Sequence, residues 1–166
     1  MFSKLYSLNF IIIVLLLSIQ IILAETEETV IEIDQPKFSE KGLDQKSYEI
    51  KAKKGFRTQS NLKLYEVEGK FKTENGVWIY MIADKGEYTQ SEDRIKLSEN
   101  IKFYTEQGEI IQSQHALFKI KEDIIIFEKN VIHENIETKI TSEYSVITNN
   151  FNTFLYEGNV RTEIIK

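Results

Sequence analysis

The sequence predicts an all-β body built from short two-strand units, preceded by one apolar N-terminal segment. Three observations carry this prediction. Apolar side chains alternate with polar ones along most of the chain, as they do in half-buried strands. Polar turn residues separate the alternating runs. The same pattern returns about every 30 residues, which is typical of stacked repeats.

The N-terminal 24 residues form the apolar segment and carry a single charged side chain, Lys4. The stretch Leu8–Ala24 can span a bilayer, which takes about 17–25 residues, and it exceeds the usual signal-peptide core of about 7–15 residues. Lys4 before the stretch and Glu25 after it favour a cytoplasmic N-terminus and an exported body. We therefore predict a membrane anchor at residues 1–24 and an exported domain at residues 25–166. Cleavage of the segment after Ala24 is the alternative.

The composition excludes several classes of function. The 166 residues include no cysteine and two histidines, which excludes a disulfide framework, a thiolate metal site and a cysteine nucleophile. The 26 acidic and 21 basic side chains give a net charge of −5, which argues against nucleic acid as a partner. No nucleotide-binding or hydrolase motif occurs. We therefore expect a non-enzymatic protein that uses no metal and no cofactor.

One run shows the alternation most clearly. Its apolar side chains Ile95, Leu97, Ile101 and Phe103 share one parity, and polar side chains take the other. Similar runs occur around residues 78–83, 116–121, 124–132 and 154–165. Turn residues lie between the runs, at 58–61, 73–76, 89–93, 106–108, 121–123 and 149–150. The pattern predicts about nine strands in an antiparallel sandwich, roll or solenoid.

The repeat becomes visible when the turns are aligned. The anchors, which are 29 to 31 residues apart, are Gly69, Asn100, Asn130 and Asn159. Seventeen residues before each anchor lies a small residue: Ala52, Ala83, Ser113 and Ser142. Three residues later lies a second small residue: Gly55, Gly86, Ala116 and Ser145. Five residues before the anchors lie Leu64, Ile95, Ile125 and Phe154. Four units match in their first halves and three in their second halves, since Glu66 and Lys70 interrupt the first unit.

The odd offset between the two small residues has a structural consequence. A strict two-residue period places them on opposite faces of the strand. A β-bulge near Asp84–Gly86, and near its equivalents, restores the register and curves the sheet. We expect the small residues to serve close packing rather than ligand binding. His133, at the repeat position of Phe103, is expected to be a packed, hydrogen-bonded side chain rather than a ligand.

Six short motifs follow the apolar segment in order. They lie at residues 34–38 (DQPKF), 46–52 (KSYEIKA), 76–78 (GVW), 82–86 (IADKG), 97–101 (LSENI) and 156–160 (YEGNV). In these motifs and in their order the chain resembles the LptC family of lipopolysaccharide export proteins. The resemblance covers essentially the whole chain, and the 30-residue unit is shared with the soluble relative LptA.

The resemblance implies a single-span N-terminal helix followed by a twisted antiparallel β-jellyroll with an open apolar seam between its sheets. It implies a non-catalytic protein, because the partner ABC transporter LptBFG hydrolyses the ATP. Lipopolysaccharide would pass from that transporter, with LptF and LptG as direct partners, to LptA. The anchor would lie in the inner membrane of a Gram-negative bacterium and the body in the periplasm.

The shared inward parity of the second and third units gives the candidate lipid-groove residues. They are Met81, Ile95, Leu97, Ile101, Phe103, Ile111, Phe118, Ile125, Phe127 and Val131. The predicted bulge brings Phe118 inward. The C-terminal strand alternates to its last residues and is the candidate edge for LptA, through Val160, Arg161, Thr162, Glu163 and Ile164. Two alternatives stay open: a soluble LptA-like bridge, and a β-repeat surface scaffold with a filled core that binds no lipid.

Overall fold

The computed structural model of the protein describes residues 29–41, 47–73, 75–149 and 151–165. These residues form one antiparallel sheet of eleven strands and a short 3-10 helix, Gln90–Glu92. The predicted all-β class is confirmed, and the arrangement is consistent with a jellyroll-like β fold. The predicted anchor at residues 1–24 lies outside the described residues. Within the described ranges, no helix has the length and apolarity needed to cross a membrane.

The strands follow one another along the chain with short turns between them. They are β1 (Ile31–Asp34), β2 (Lys37–Lys41), β3 (Ser47–Arg57), β4 (Asn61–Lys72), β5 (Trp78–Thr89), β6 (Arg94–Thr105), β7 (Ile110–Lys119), β8 (Ile124–Glu134), β9 (Thr138–Thr148), β10 (Thr153–Glu157) and β11 (Arg161–Ile164). Their order in the sheet is β1-β3-β4-β5-β6-β7-β8-β9-β10, with β2 also beside β3 and β11 also beside β9. Because β1 and β2 share one neighbour, and β10 and β11 another, the sheet has the nine strand positions that the sequence predicts.

A break near the middle of the strands confirms the level of the predicted bulge at Asp84–Gly86, but the extra residue lies on the neighbouring strand and not on β5. The pairing of β5 with β6 shifts by one residue between Ile82 and Lys85. The extra residue lies on β6, where Glu99 and Asn100 have φ angles of 66° and 49°. The pairings of β6 with β7, β7 with β8 and β8 with β9 shift at equivalent places. The same break separates β10 from β11, so the two are halves of one interrupted strand.

The first repeat unit differs from the sequence alignment. Leu64 lies opposite both Gly55 and Gly86, and Leu97 also lies opposite Gly86. Leu64 is therefore the structural equivalent of Leu97, and the alignment of Leu64 with Ile95 is wrong by two residues. The physical reason is a shorter first hairpin, because Gly55 and its partner Leu64 are nine positions apart whereas Gly86 and its partner Leu97 are eleven positions apart. The break itself is also shorter, since this unit places one residue of positive φ, Glu66, where the later units place two.

The breaks divide the sheet into two layers. Layer 1 contains β1, β10 and residues 54–57, 61–65, 85–89, 94–98, 115–119, 124–128 and 144–148. Layer 2 contains β2, β11 and residues 47–52, 67–72, 78–83, 101–105, 110–113, 131–134 and 138–142.

The two layers face each other across the core. The ring of Phe71 in layer 2 lies 5.1 Å from the ring of Phe118 in layer 1, although two strands separate them in the sheet. Phe38 of β2 lies 6.0 Å from Tyr88 of β5, again across the layers. These aromatic contacts hold the two layers together. Each fully buried large apolar side chain contributes up to about 1.5–3 kcal/mol to such a core.

Candidate lipid-binding seam and edge strand

The apolar interior between the two layers, here called the seam, contains all ten predicted groove residues. The inward orientation of these side chains is confirmed, because none is more than 5% exposed: Met81, Ile95, Leu97, Ile101, Phe103, Ile111, Phe118, Ile125, Phe127 and Val131. The intervening Lys96 and Glu128 are exposed on the outer surface. Contact of the ten side chains with lipid stays a prediction.

The seam is closely packed in this structure. The ring of Phe127 in layer 1 meets the ring of Phe103 in layer 2 edge to face, with centroids 5.0 Å apart. A cavity of about 20 Å³ lies beside Phe118 and Phe71. A space of this size accommodates about one water molecule and no acyl chain. Lipid could therefore enter only if the layers moved apart.

A row of small residues allows the tight approach of the strands. Gly86 lies between Leu64 and Leu97 in the sheet. A Cβ atom at Gly86 would lie 3.2 Å from Cγ2 of Val67 and 3.4 Å from Cδ2 of Leu97. Ala116 holds the equivalent place between Leu97 and Phe127. The small residues therefore serve packing between large side chains, as the sequence predicts.

A polar cluster lies at the C-terminal end of the seam. His133 is 6% exposed, and its ring stacks on Phe154 with centroids 4.9 Å apart. The Nε2–H group of His133 donates to Oε1 of Glu109 at 2.9 Å, and the hydroxyl of Tyr156 donates to Nδ1. This tautomer is assigned because a carboxylate only accepts hydrogen bonds. His133 is thus packed and hydrogen-bonded, which confirms the prediction for this residue.

The cluster joins the two layers at the seam's end. Tyr156 belongs to β10 in layer 1, and His133 belongs to β8 in layer 2. Burial, and then the negative charge of Glu109, raises the pKa of Tyr156 to about 12. The phenol of Tyr156 is therefore neutral at physiological pH, and its hydrogen bond to His133 joins the edge strand β10 to layer 2.

The predicted partner edge forms the C-terminal margin of layer 2. Residues Arg161–Ile164 form β11, which pairs with β9. The side chains of β11 and of the preceding Val160 are exposed. Within the described residues no strand pairs with the other side of β11. Val160 and Ile164 are 47% and 79% exposed, so the margin presents apolar side chains as well as an open backbone edge.

The direction of the backbone groups on β11 follows from one hydrogen bond. The N–H of Ile165 donates to the carbonyl of Glu137 at 2.8 Å. Bonded and non-bonded pairs alternate along an antiparallel ladder. The N–H groups of Arg161 and Glu163 therefore point toward β9, and those of Thr162 and Ile164 point toward the open edge. Thr162 offers a free donor to an added strand.

The described part of the chain contains no group of three His, Asp or Glu side chains that could hold a metal ion. No family model matches this chain, and a search of curated proteins finds no significant relative.

Two features of the structure are absent from the sequence-based prediction. The partners of His133 come from residues 24 and 23 positions away, and no local pattern links them. The second feature is an outward row that includes Trp78 and Tyr80. Trp78 and Tyr80 alternate along β5 with the buried Ile79 and Met81, so this alternation could have predicted that both rings face outward.

Proposed function

We propose that the protein is a non-catalytic lipid-transfer component of lipopolysaccharide export, of the kind that the LptC resemblance implies. In this function it accepts lipopolysaccharide from the LptBFG transporter, through LptF and LptG, and passes it to LptA. Its body lies in the periplasm, held at the inner membrane by the segment at residues 1–24. In this proposal the eleven-stranded antiparallel sheet is the twisted β-jellyroll of that family.

The observation that carries the proposal is a continuous apolar seam between two layers that reaches an open sheet edge. The seam runs strand by strand from β3 to β10, with large side chains facing one another across it. Each methylene of an acyl chain that is kept from water is worth about 0.8 kcal/mol. A chain of about twelve methylenes is worth about 10 kcal/mol by the same coefficient. That gain is comparable to the whole stability of a domain, about 5–15 kcal/mol, and can replace contacts between the layers.

A side-chain hydrogen bond joins the two layers on the side where the turns meet. The amide of Asn75 donates to Oδ1 of Asn152 at 3.4 Å, which joins a turn of layer 2 to a turn of layer 1. Such an exposed, long hydrogen bond contributes little to stability. Phe71, four residues before Asn75 in the chain, contacts Phe118 of the other layer. Acyl chains that enter here would replace the contact between Phe71 and Phe118 with contacts between these side chains and lipid.

Site-specific photocrosslinking tests the seam. A photoreactive side chain at Leu97 or Phe127 is expected to capture lipopolysaccharide, because both positions face the interior. The matched controls are Lys96 and Glu128, which are sequence neighbours on the outer face. Equal labelling of the inward and outward positions would refute the proposal that the seam is the binding site.

A proline substitution tests the partner edge. Thr162→Pro removes an N–H that points away from β9, so the domain is expected to stay folded while capture of LptA falls. Thr162→Ser keeps the donor and is expected to keep capture. Glu163→Pro removes an N–H directed at β9 and is expected to loosen β11 itself. Undiminished capture by a folded Thr162→Pro variant would place the partner at another edge.

The filled core favours a second candidate function, a β-repeat scaffold that binds no lipid. Phe103, Ile79 and Phe127 are 0% exposed, as in an ordinary core. A scaffold predicts no crosslinking to lipid from either face. The soluble-bridge alternative keeps the seam and loses the anchor. The N-terminal mass of the mature protein separates the membrane-anchored protein from the soluble bridge, since an N-terminus at Glu25 indicates cleavage.

A further inference from the structure

The outer face of layer 2 carries an aromatic row that the seam does not use. Trp78, Tyr80 and Ile82 alternate along β5 with the buried Met81, so they point away from the core. Tyr104 on β6 is the cross-strand partner of Tyr80. The two rings stack with centroids 5.3 Å apart and an interplanar angle of 19°.

Lysine side chains lie over these rings. The Nζ atoms of Lys70 and Lys72 are 5.2 and 5.8 Å from the centroid of Trp78, and Nζ of Lys102 is 5.5 Å from that of Tyr104. Among the described residues, none of the three lysines makes an ion pair. The outer patch consists of Trp78, Tyr80, Tyr104, Lys70, Lys72 and Lys102.

Three acidic side chains, Glu49, Glu68 and Glu106, lie around the outer patch. Two lysines bind the carboxylate of Glu49 at 2.8 and 3.0 Å. Glu106 accepts a hydrogen bond from the hydroxyl of Tyr80 at 2.8 Å. Glu68 is the cross-strand neighbour of Lys51. Lys37 and Lys51 add two positive charges to the three of the patch lysines, and Glu49, Glu68 and Glu106 supply three negative charges. These described residues therefore carry a net charge of +2, although the chain as a whole carries −5.

Tryptophan and tyrosine flanked by lysine is the composition of surfaces that lie at the membrane–water interface. The aromatic rings enter the headgroup region, and the ammonium groups meet anionic phosphates. The position of the patch fits this occupant. Ala24 ends the predicted membrane segment, and Ile31 begins β1, so at most about 25 Å of chain separates them. β5 lies three strand positions, about 14 Å, from β1 along the sheet, and layer 2 lies about 10 Å from layer 1, so this length of chain can span the distance between them.

We propose that the outer patch docks the β body on an anionic phospholipid bilayer, with the aromatic rings among the headgroups and Lys70, Lys72 and Lys102 on lipid phosphates. The seam is on the opposite side of layer 2. The docking surface is thus separate from lipid binding in the seam and from pairing at the C-terminal edge.

Trp78 is the only tryptophan in the chain, so its fluorescence reports on the patch directly. The full-length protein is reconstituted with vesicles of phosphatidylcholine and phosphatidylglycerol at about 7:3, or of phosphatidylcholine alone. Brominated phosphatidylcholine in each vesicle quenches tryptophan that reaches the bilayer. We expect strong quenching in the anionic vesicles, weak quenching in the neutral ones, and loss of quenching in 1 M salt, where the Debye length is about 3 Å.

Charge-neutral variants locate the docking surface. One lysine near an anionic membrane changes binding about five-fold, so Lys70→Gln/Lys72→Gln should lower the ratio of docked to undocked protein about 30-fold. The matched control is Lys96→Gln/Lys129→Gln, which removes two exposed charges elsewhere and should change that ratio less than about two-fold. Circular dichroism verifies that both variants are folded.

Three results would overturn the proposal. The first is unquenched Trp78 in anionic vesicles. The second is an equal loss of quenching in the two double variants, which would mean that net charge rather than the patch controls docking. The third is a change in Trp78 emission that requires an added protein and no lipid, which would assign the patch to a protein partner.

Discussion

Replacing Phe127 by alanine tests whether the seam is a packed core in the lipid-free protein. The side chain is 0% exposed, meets Phe103 edge to face at 5.0 Å, and lies between Ala116 and Ser145 in the sheet. The small flanking residues cannot fill the space that the ring leaves. Truncation of such a phenylalanine costs about 3–5 kcal/mol, of which the aromatic pair accounts for about 0.5–1.5 kcal/mol.

Urea denaturation measures this loss as a lower midpoint with an unchanged slope. The expected fall in Tm is about 6–20 °C, since 1 kcal/mol shifts a domain of this size by about 2–4 °C. Leu155→Ala is the control, because Leu155 is 53% exposed on β10 and its truncation should change stability by about 0.5 kcal/mol or less. A loss below about 1 kcal/mol for Phe127→Ala would refute the packed seam and indicate an open groove.

Three further predictions concern single side chains. Tyr156, whose pKa is about 12 against an ordinary value of 10.0, stabilises the fold while it is neutral. The free energy of unfolding should fall by about 1–2 kcal/mol more in the wild type than in Tyr156→Phe between pH 10 and 12, after allowance for solvent screening of a half-buried group. Asn130 has a φ of 55°, so Asn130→Val should cost about 1–2 kcal/mol in urea denaturation, and Asn130→Gly should cost little. Hydrogen bonds from Lys51 and then Lys37 lower the pKa of Glu49 to about 2. Carboxyl NMR should show that midpoint in the wild type and a higher one in Lys51→Met.

The inward faces of the strands could be predicted from the sequence because each face of a strand has its own environment. Ile95, Leu97, Ile101 and Phe103 alternate with polar residues, and all four are buried. The bulge could be predicted because the spacing from Ala83 to Gly86 breaks that alternation. A local period of two residues is sufficient for both conclusions.

The contacts between the layers could not be predicted in the same way. Phe71 meets Phe118 only because the sheet folds along its line of bulges, and alternation gives no information on which strands then face each other. The first unit was misaligned because its hairpin is two residues shorter between Gly55 and Leu64 than the next hairpin is between Gly86 and Leu97, and a local period of two does not reveal the length of a turn. The bonds of His133 to Glu109 and Tyr156 depend on the same folding of the sheet.

A reversible crosslink between the layers tests most directly the central claim that acyl chains enter the seam. The chain has no cysteine, so Phe71→Cys/Phe118→Cys introduces a single pair of thiols across the layers. A short bis-methanethiosulfonate reagent joins them, and dithiothreitol releases them. The control pair is Ile95→Cys/Phe118→Cys, which lies within layer 1 on neighbouring strands. We predict that the crosslink between layers abolishes lipopolysaccharide binding until it is reduced and that the crosslink within layer 1 does not. Undiminished binding by the protein with its two layers joined would contradict the account.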